Sequence, residues 1–203
     1  MNNKDWTGNK NSIYKTLGAS NHTDKERQNE DFYATDPIAA EWLLRIENIP
    51  IDKPIWECSS GEDHLANVFK KFGYEVRTSD LIKRLDTTEE LDFLNQNETW
   101  NGTIITNPPY KYSSQFIEKA METITDGNKV CMFLKLQFLE GKGRKELFKK
   151  YPPKTVWVSS SRITCAKNAD FDAMKASGGS AVAYIWLIFE KGYKGETTLK
   201  WFN

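Results

Sequence analysis

The stretch PIWECSSGEDHLANVFKKFGYEVRTSD, residues 54–80, reads as a strand, a turn, a helix and a second strand. Pro54 to Cys58 is short and apolar, and Ser59-Ser60-Gly61 breaks it. From about Glu62 to Phe72, Leu65, Val68 and Phe69 recur at three- and four-residue spacing, which predicts a helix with one apolar face. Gly73 stands where such a helix stops. Tyr74 to Ser79 predicts a strand ending at Asp80. Strand–helix alternation of this kind argues for an α/β fold with a doubly wound, mainly parallel sheet.

The alternation continues on both sides. Upstream, Ile38, Trp42, Leu43 and Ile46 predict a helix after Asp36-Pro37, with Pro37 suited to its first turn. Downstream, a short strand ends at Asp92-Phe93, and Thr103 to Thr106 predicts a strand ending at Asn107. A helix is expected from Ser113 to about Ile124, a long apolar strand over Lys129 to Leu139, and a charged helix over Gly141 to Lys150. Thr155 to Ser160 and Ala181 to Phe189 read as two further strands. Ligands of doubly wound sheets sit beyond the carboxyl ends of the strands. Ser59-Ser60-Gly61, Asp80, Asp92 and Asn107 all fall at such ends.

Bulk composition bounds the rest. The 203 residues suit one α/β domain, expected over residues 31–203 behind a polar arm over residues 1–30. Aromatic residues make up 13%, including seven Trp, which excludes a disordered chain. The 28 basic and 28 acidic residues cancel, so any footprint for a polyanion must be local. Cys58, Cys131 and Cys165 are scattered and only two histidines are present, so neither a disulfide framework nor a metal site is expected. Met1 to Asp5 is polar, and the run Ala181 to Phe189 is less than half a membrane span. A cytoplasmic protein with no membrane partner is expected.

Asn107-Pro108-Pro109-Tyr110 carries the strongest chemical signal. An amino group conjugated to a purine ring is a poor nucleophile, because its lone pair is delocalised. Two acceptors gripping its hydrogens, the Asn107 side-chain oxygen and the Pro108 carbonyl, favour a pyramidal nitrogen with that lone pair free. This is orientational and electrostatic catalysis without a covalent intermediate. Pro108 and Pro109 stiffen the loop, and Tyr110 can stack on the base. The plainer alternative is a Pro-Pro turn capped by Asn.

Asn-Pro-Pro-Tyr after an apolar strand resembles the amino-methyltransferase motif of DNA N6-adenine methyltransferases. Residues 56–65 are similar to that family's methionine-binding loop, which implies a cofactor role for Glu57, Ser59 and Gly61. The resemblance implies that Asp80 holds ribose hydroxyls, that Leu81 lies against the cofactor adenine, and that Asp92 and Phe93 read and cover that ring. Phe32 to Pro37 resembles the segment that precedes the cofactor loop in the gamma order, bringing in Tyr33 and Thr35. The similarity covers about residues 31–190 and is greatest to short phage- or prophage-type members. It implies a seven-stranded, Rossmann-like sheet, S-adenosyl-L-methionine as cofactor, and DNA, duplex or single-stranded, as partner. Read alone, an acid placed like Asp80 is more often a helix cap or a solvated side chain, and Phe93 could simply be core.

One departure concerns the cofactor loop. The family has a G-x-G pattern there, and the second position is Asp63, whose charge would repel the methionine carboxylate or whose side chain would cap the next helix. The basic stretch from Lys135 through Lys142, Arg144, Lys145, Lys149 and Lys150 to Lys154 suits phosphate contact, with a solvated helix face as the alternative. By position Phe171 resembles the aromatic that sandwiches a flipped adenine, the other reading being a loop anchor. No downstream recognition domain fits, so specificity is expected from a short site, a partner, or a second copy in a homodimer. RNA adenine or protein glutamine methylation uses the same motif, and a degenerate, non-catalytic fold is the third reading.

Overall fold

The computed structural model describes residues 33–167, 171 and 182–203. The expected polar arm, residues 1–30, lies outside them. The first half of the described chain forms β1 (Tyr33–Thr35), α1 (Ile38–Ile46), β2 (Ile55–Glu57), α2 (His64–Lys71), β3 (Val76–Asp80), β4 (Glu89–Glu90) and β5 (Thr103–Thr106). The second half forms α3 (Ser113–Thr123), β6 (Lys129–Lys135), α4 (Lys142–Lys150), β7 (Thr155–Ser159), β8 (Cys165–Lys167), β9 (Tyr184–Glu190) and β10 (Thr198–Phe202).

Eight strands make the main sheet, in the order β10-β7-β9-β6-β5-β2-β3-β4. All neighbours pair parallel except β9, which runs antiparallel to both β6 and β7. Seven strands were expected, and the eighth is β10. Its residues Thr198 to Lys200 and Trp201 are exposed and only Phe202 is buried, so no hydrophobic run marks it. Main-chain pairing with β7, in register from Thr198↔Thr155 to Phe202↔Ser159, places it.

Side chains alternate across the sheet with the two-residue period of a pleated strand. Ile104, Met132, Leu134, Ile185 and Leu187 enter one core with Phe116, Ile117 and Leu147 from α3 and α4. Ile105, Cys131, Phe133, Trp186 and Ile188 enter the other with Leu43, Leu65 and Phe69 from α1 and α2. Both faces are therefore covered, as a buried parallel sheet requires. α2 buries Leu65, Val68 and Phe69 as its spacing predicts, and Gly73 follows it at φ 90°.

Three boundaries differ from the sequence reading. The strand expected over Lys129 to Leu139 ends at Lys135, and Leu136–Leu139 wind into a turn of 3-10 helix. The apolar run continues because Phe138 packs into the core from that turn. The short strand expected to end at Asp92-Phe93 is Glu89–Glu90, two exposed residues recruited by pairing with Ser79 and Asp80. Finally, β8 pairs antiparallel with β1 as a separate two-stranded sheet with Ile163 to Ala166 buried, an element the sequence reading did not mark. Among the described residues no helix is long and apolar enough to cross a membrane.

Candidate active site

Because β2 to β6 run parallel, their carboxyl ends share one edge of the sheet. That edge collects Glu57, Asp80, Asn107 and Lys135, and antiparallel β9 begins there with Tyr184 opposite Lys135. β1 contributes Thr35. A narrow slot between these elements is lined by Thr35, Glu57, Ser59, Ser60, His64 and Asn107, with Ala34 and Leu65 as its apolar walls.

Asn107 is held at both ends. Its side-chain Nδ2 donates to Thr35 Oγ1 at 2.8 Å. Its main-chain carbonyl accepts from Ser59 Oγ at 3.0 Å, and Ser59 Oγ also lies 3.1 Å from Thr106 Oγ1. The Ser59 proton goes to the carbonyl, so the Thr106 hydroxyl is the donor in that second contact. What remains is Asn107 Oδ1, buried and without a hydrogen-bond partner in the structure. Pro108 is buried and Pro109 exposed, and the chain then turns through a 3-10 helix over Tyr110–Tyr112.

Tyr110 is largely enclosed. Its hydroxyl donates to Tyr184 Oη at 3.3 Å, and the Lys135 ammonium sits 4.4 Å from its ring centroid. Burial raises the Tyr110 phenol far above its ordinary range, so it stays neutral. One ring face is thus already occupied by a cation, a cation–π contact of about 0.5–2 kcal/mol.

The turn after β2 presents the other polar atoms. Glu57 is fully buried, and its Oε2 has no partner in the structure. Burial, with Asp63 nearby, raises its carboxyl well above the usual range. Ser60 Oγ is likewise buried without a partner. The Gly61 amide donates to Asp80 Oδ2 at 2.9 Å, and Asp80 Oδ1 accepts from the Ile82 amide at 3.1 Å. Leu81 beside it is exposed.

Asp63 corrects the expected helix cap. It takes φ 60° and ψ 25°, the left-handed conformation a glycine would adopt, and its side chain makes no cap hydrogen bond. Its Oδ2 instead meets Lys70 Nζ at 3.1 Å, and it does not line the slot. Lys70, two turns along α2, partly offsets the Asp63 charge, which still raises the Glu57 carboxyl.

Other expected positions are more dispersed. Asp92 caps its own turn, accepting from the Leu94 amide at 3.0 Å and from Asn95 Nδ2 at 2.6 Å. Phe93 is a core residue, edge-on to Trp56 and tilted on Phe116. Phe171 lies 5.7 Å from the His64 ring, beside the slot. Tyr33 belongs to β1 by its backbone. Lys142 is exposed at the start of α4, whereas the Arg144 guanidinium covers Phe138 and donates to the Gln137 and Glu140 carbonyls. Lys149, Lys150 and Lys154 are paired with Glu146, Glu122 and Glu190. Sequence reasoning placed Ser60 at a strand end but gave it no cofactor role, and it gave no site role to His64, inside the same quoted loop, or to Cys165 and Tyr184, which reach the edge only through long-range strand pairing.

No protein-family model and no curated protein matches the sequence. Solved structures do match. A candidate class I S-adenosylmethionine-dependent methyltransferase from Listeria monocytogenes aligns at TM-score 0.56 and 13% identity over 81% of this chain and 62% of its own. A candidate O-methyltransferase from Agrobacterium tumefaciens aligns at 0.56 and 13%, over 80% and 85%. The modification subunit of a candidate type I restriction enzyme from Vibrio vulnificus aligns at 0.60 and 10%, over 84% and 46%. The chain spans less than two thirds of the Listeria and Vibrio proteins. Its fold is that of class I S-adenosylmethionine-dependent methyltransferases.

Proposed function

We propose that this chain binds S-adenosyl-L-methionine in the slot beside Asn107 and methylates the N6 amino group of adenine in DNA. The observation that carries the reading is the state of the Asn107 carboxamide. One Nδ2 hydrogen is spent on Thr35, and Oδ1 is a buried acceptor left without a partner. An amine N–H is the group that satisfies it, and a buried acceptor left unsatisfied costs about 1–3 kcal/mol.

The residues of the slot fit the cofactor's amino-acid moiety. Glu57 Oε2 and Ser60 Oγ are buried without partners, and an ammonium group supplies the missing donors. Asp80, bonded to the Gly61 and Ile82 amides and with the Arg84 guanidinium 3.7 Å from Oδ1, still has lone pairs for hydroxyl donors. When bound, S-adenosyl-L-methionine supplies an electrophilic methyl group on a sulfonium. This chain's own contribution is positional: Asn107 orients the amine, and the stiff Pro108-Pro109 turn keeps the acceptor aimed.

DNA is favoured as the polymer by the likeness to a restriction-modification subunit and by the residue pattern Asn107 to Tyr110. Duplex adenine N6 is engaged in pairing, so the base must leave the stack, at a cost of a few kcal/mol. The pairing of Asp63 with Lys70 partly offsets the charge that supports the alternative reading of a catalytically degenerate fold. The test is methyl incorporation from labelled cofactor into duplex DNA, single-stranded DNA, RNA and protein, with Asn107→Ala beside the unaltered chain. Incorporation at adenine N6 of DNA, lowered by about a hundredfold or more in Asn107→Ala, is expected by analogy with a lost oxyanion-type contact. Label appearing in RNA or protein alone, or near-normal turnover in the variant, contradicts the proposal.

A further inference from the structure

A carboxamide is nearly symmetric in shape, and its terminal torsion has two broad, almost equivalent settings. Turned by half a revolution, Asn107 would present two N–H donors where an acceptor is needed. Something must choose between the two settings, and the Pro-Pro turn cannot, because it fixes the backbone and leaves the side-chain torsion free. A threonine hydroxyl makes that choice only while its own proton points elsewhere, and in the structure Thr35 accepts from Nδ2 at 2.8 Å, leaving Oδ1 free.

Thr35 is itself held from outside the loop. It is buried, its backbone pairs with Cys165 in the β1–β8 sheet, and the next amide, Asp36, donates to the Thr164 carbonyl at 3.0 Å. The Cys165 thiol lies 4.0 Å from its hydroxyl. We infer that Thr35, which the family resemblance assigns to cofactor binding, is a positioning residue that locks the Asn107 carboxamide with its oxygen toward the substrate amine. The small β1–β8 sheet then serves the reaction by keeping one hydroxyl in register with Asn107. This rests on the reading of Asn107 as the acceptor of an amine.

The test compares Thr35→Val, which keeps shape and strand preference but removes the acceptor, with Thr35→Ser, which restores it. Side-chain amide signals of Asn107, identified by their loss in Asn107→Ala, report the bond in the protein without cofactor. Slow exchange of the Nδ2 protons is expected in the unaltered chain and in Thr35→Ser, and exchange at least tenfold faster in Thr35→Val. At saturating cofactor, Thr35→Val should lower kcat for methyl transfer by tenfold or more with cofactor Kd changed by less than threefold, and Thr35→Ser should restore most of the rate. Unchanged exchange in Thr35→Val overturns the inference, as does a raised cofactor Kd with kcat intact, which would make Thr35 a cofactor ligand. If the unaltered chain methylates nothing, the functional proposal fails, while the exchange measurement still decides whether Thr35 sets the carboxamide.

Discussion

The Gly61 amide and the Asp80 carboxylate are joined by a 2.9 Å hydrogen bond that ties the turn after β2 to the tip of β3. Asp80 therefore holds the turn whose Ser59 and Ser60 line the slot, and under the proposed function it also takes the cofactor. Asp80→Ala should weaken S-adenosyl-L-methionine by roughly 1.5–3 kcal/mol, the value of a hydrogen bond to a charged acceptor. Asp80→Asn keeps an acceptor for Gly61 and should lose less. Calorimetric titration of both variants checks the order; equal losses would mean the loop contact contributes nothing.

Asp63 occupies a left-handed backbone at φ 60° and pairs with Lys70. The conformation costs an L-residue about 1–2 kcal/mol, and glycine escapes that cost. Asp63→Gly exchanges the ion pair for relief of strain and should leave stability and cofactor affinity close to the starting values. Asp63→Ala loses the pair and keeps the strain, so it should melt below Asp63→Gly. The two melting temperatures, measured side by side, decide it.

Glu57 should make the protein pH-sensitive. Its folded carboxyl titrates well above 4.5, the ordinary glutamate value, because of burial and then Asp63. Between those two values the folded chain holds a proton that the unfolded chain releases. The contribution to stability is therefore complete below the ordinary value and declines as pH rises toward the folded one. Glu57→Gln should flatten the fall of melting temperature with pH across that window. Where an ammonium group binds against Glu57 it favours the carboxylate, so cofactor binding should release a proton and tighten as pH rises. Calorimetry in two buffers of different ionisation enthalpy measures that release.

The basic stretch divides by position. Lys142 opens α4 just after the turn that follows β6, on the edge that bears Asn107, whereas Lys154 precedes β7 at the opposite edge and is paired with Glu190. Lys142→Ala should weaken DNA binding and reduce the slope of log affinity against log salt by about 0.9 for each duplex phosphate lost. Lys154→Ala should leave that slope unchanged. Titration of a fluorescent duplex at several salt concentrations separates the two.

Periodicity made the doubly wound sheet legible, because each central strand is buried on both faces and each helix on one. Residues 54–80 already held the unit that repeats. What escaped the sequence reading was held together by main chain or by distance. β10 shows no apolar run, since pairing with β7 places it while Leu199 and Trp201 remain exposed. The split of Lys129 to Leu139 into strand and 3-10 turn escaped because both parts supply core residues. Asn107 was legible as an acceptor from its neighbours in sequence. Its orientation was not, because Thr35 lies far upstream and Tyr184 and Cys165, which join Tyr110 and Thr35 at the same edge, lie far downstream.

The β1–β8 pairing also sets an order of events when the chain folds. β2, β3, β5 and β6 adjoin one another through short crossovers, so the centre of the sheet, with Asn107 at its edge, can assemble from nearby sequence. Thr35 and Cys165 are 130 positions apart, so their contact forms only once the strands between them have brought the two ends close. The acceptor is delivered early and aimed late. During refolding, helix and sheet signals should recover ahead of the protection of the Asn107 carboxamide, with the interval between them measuring how long the chain holds a complete sheet around a site that cannot yet work.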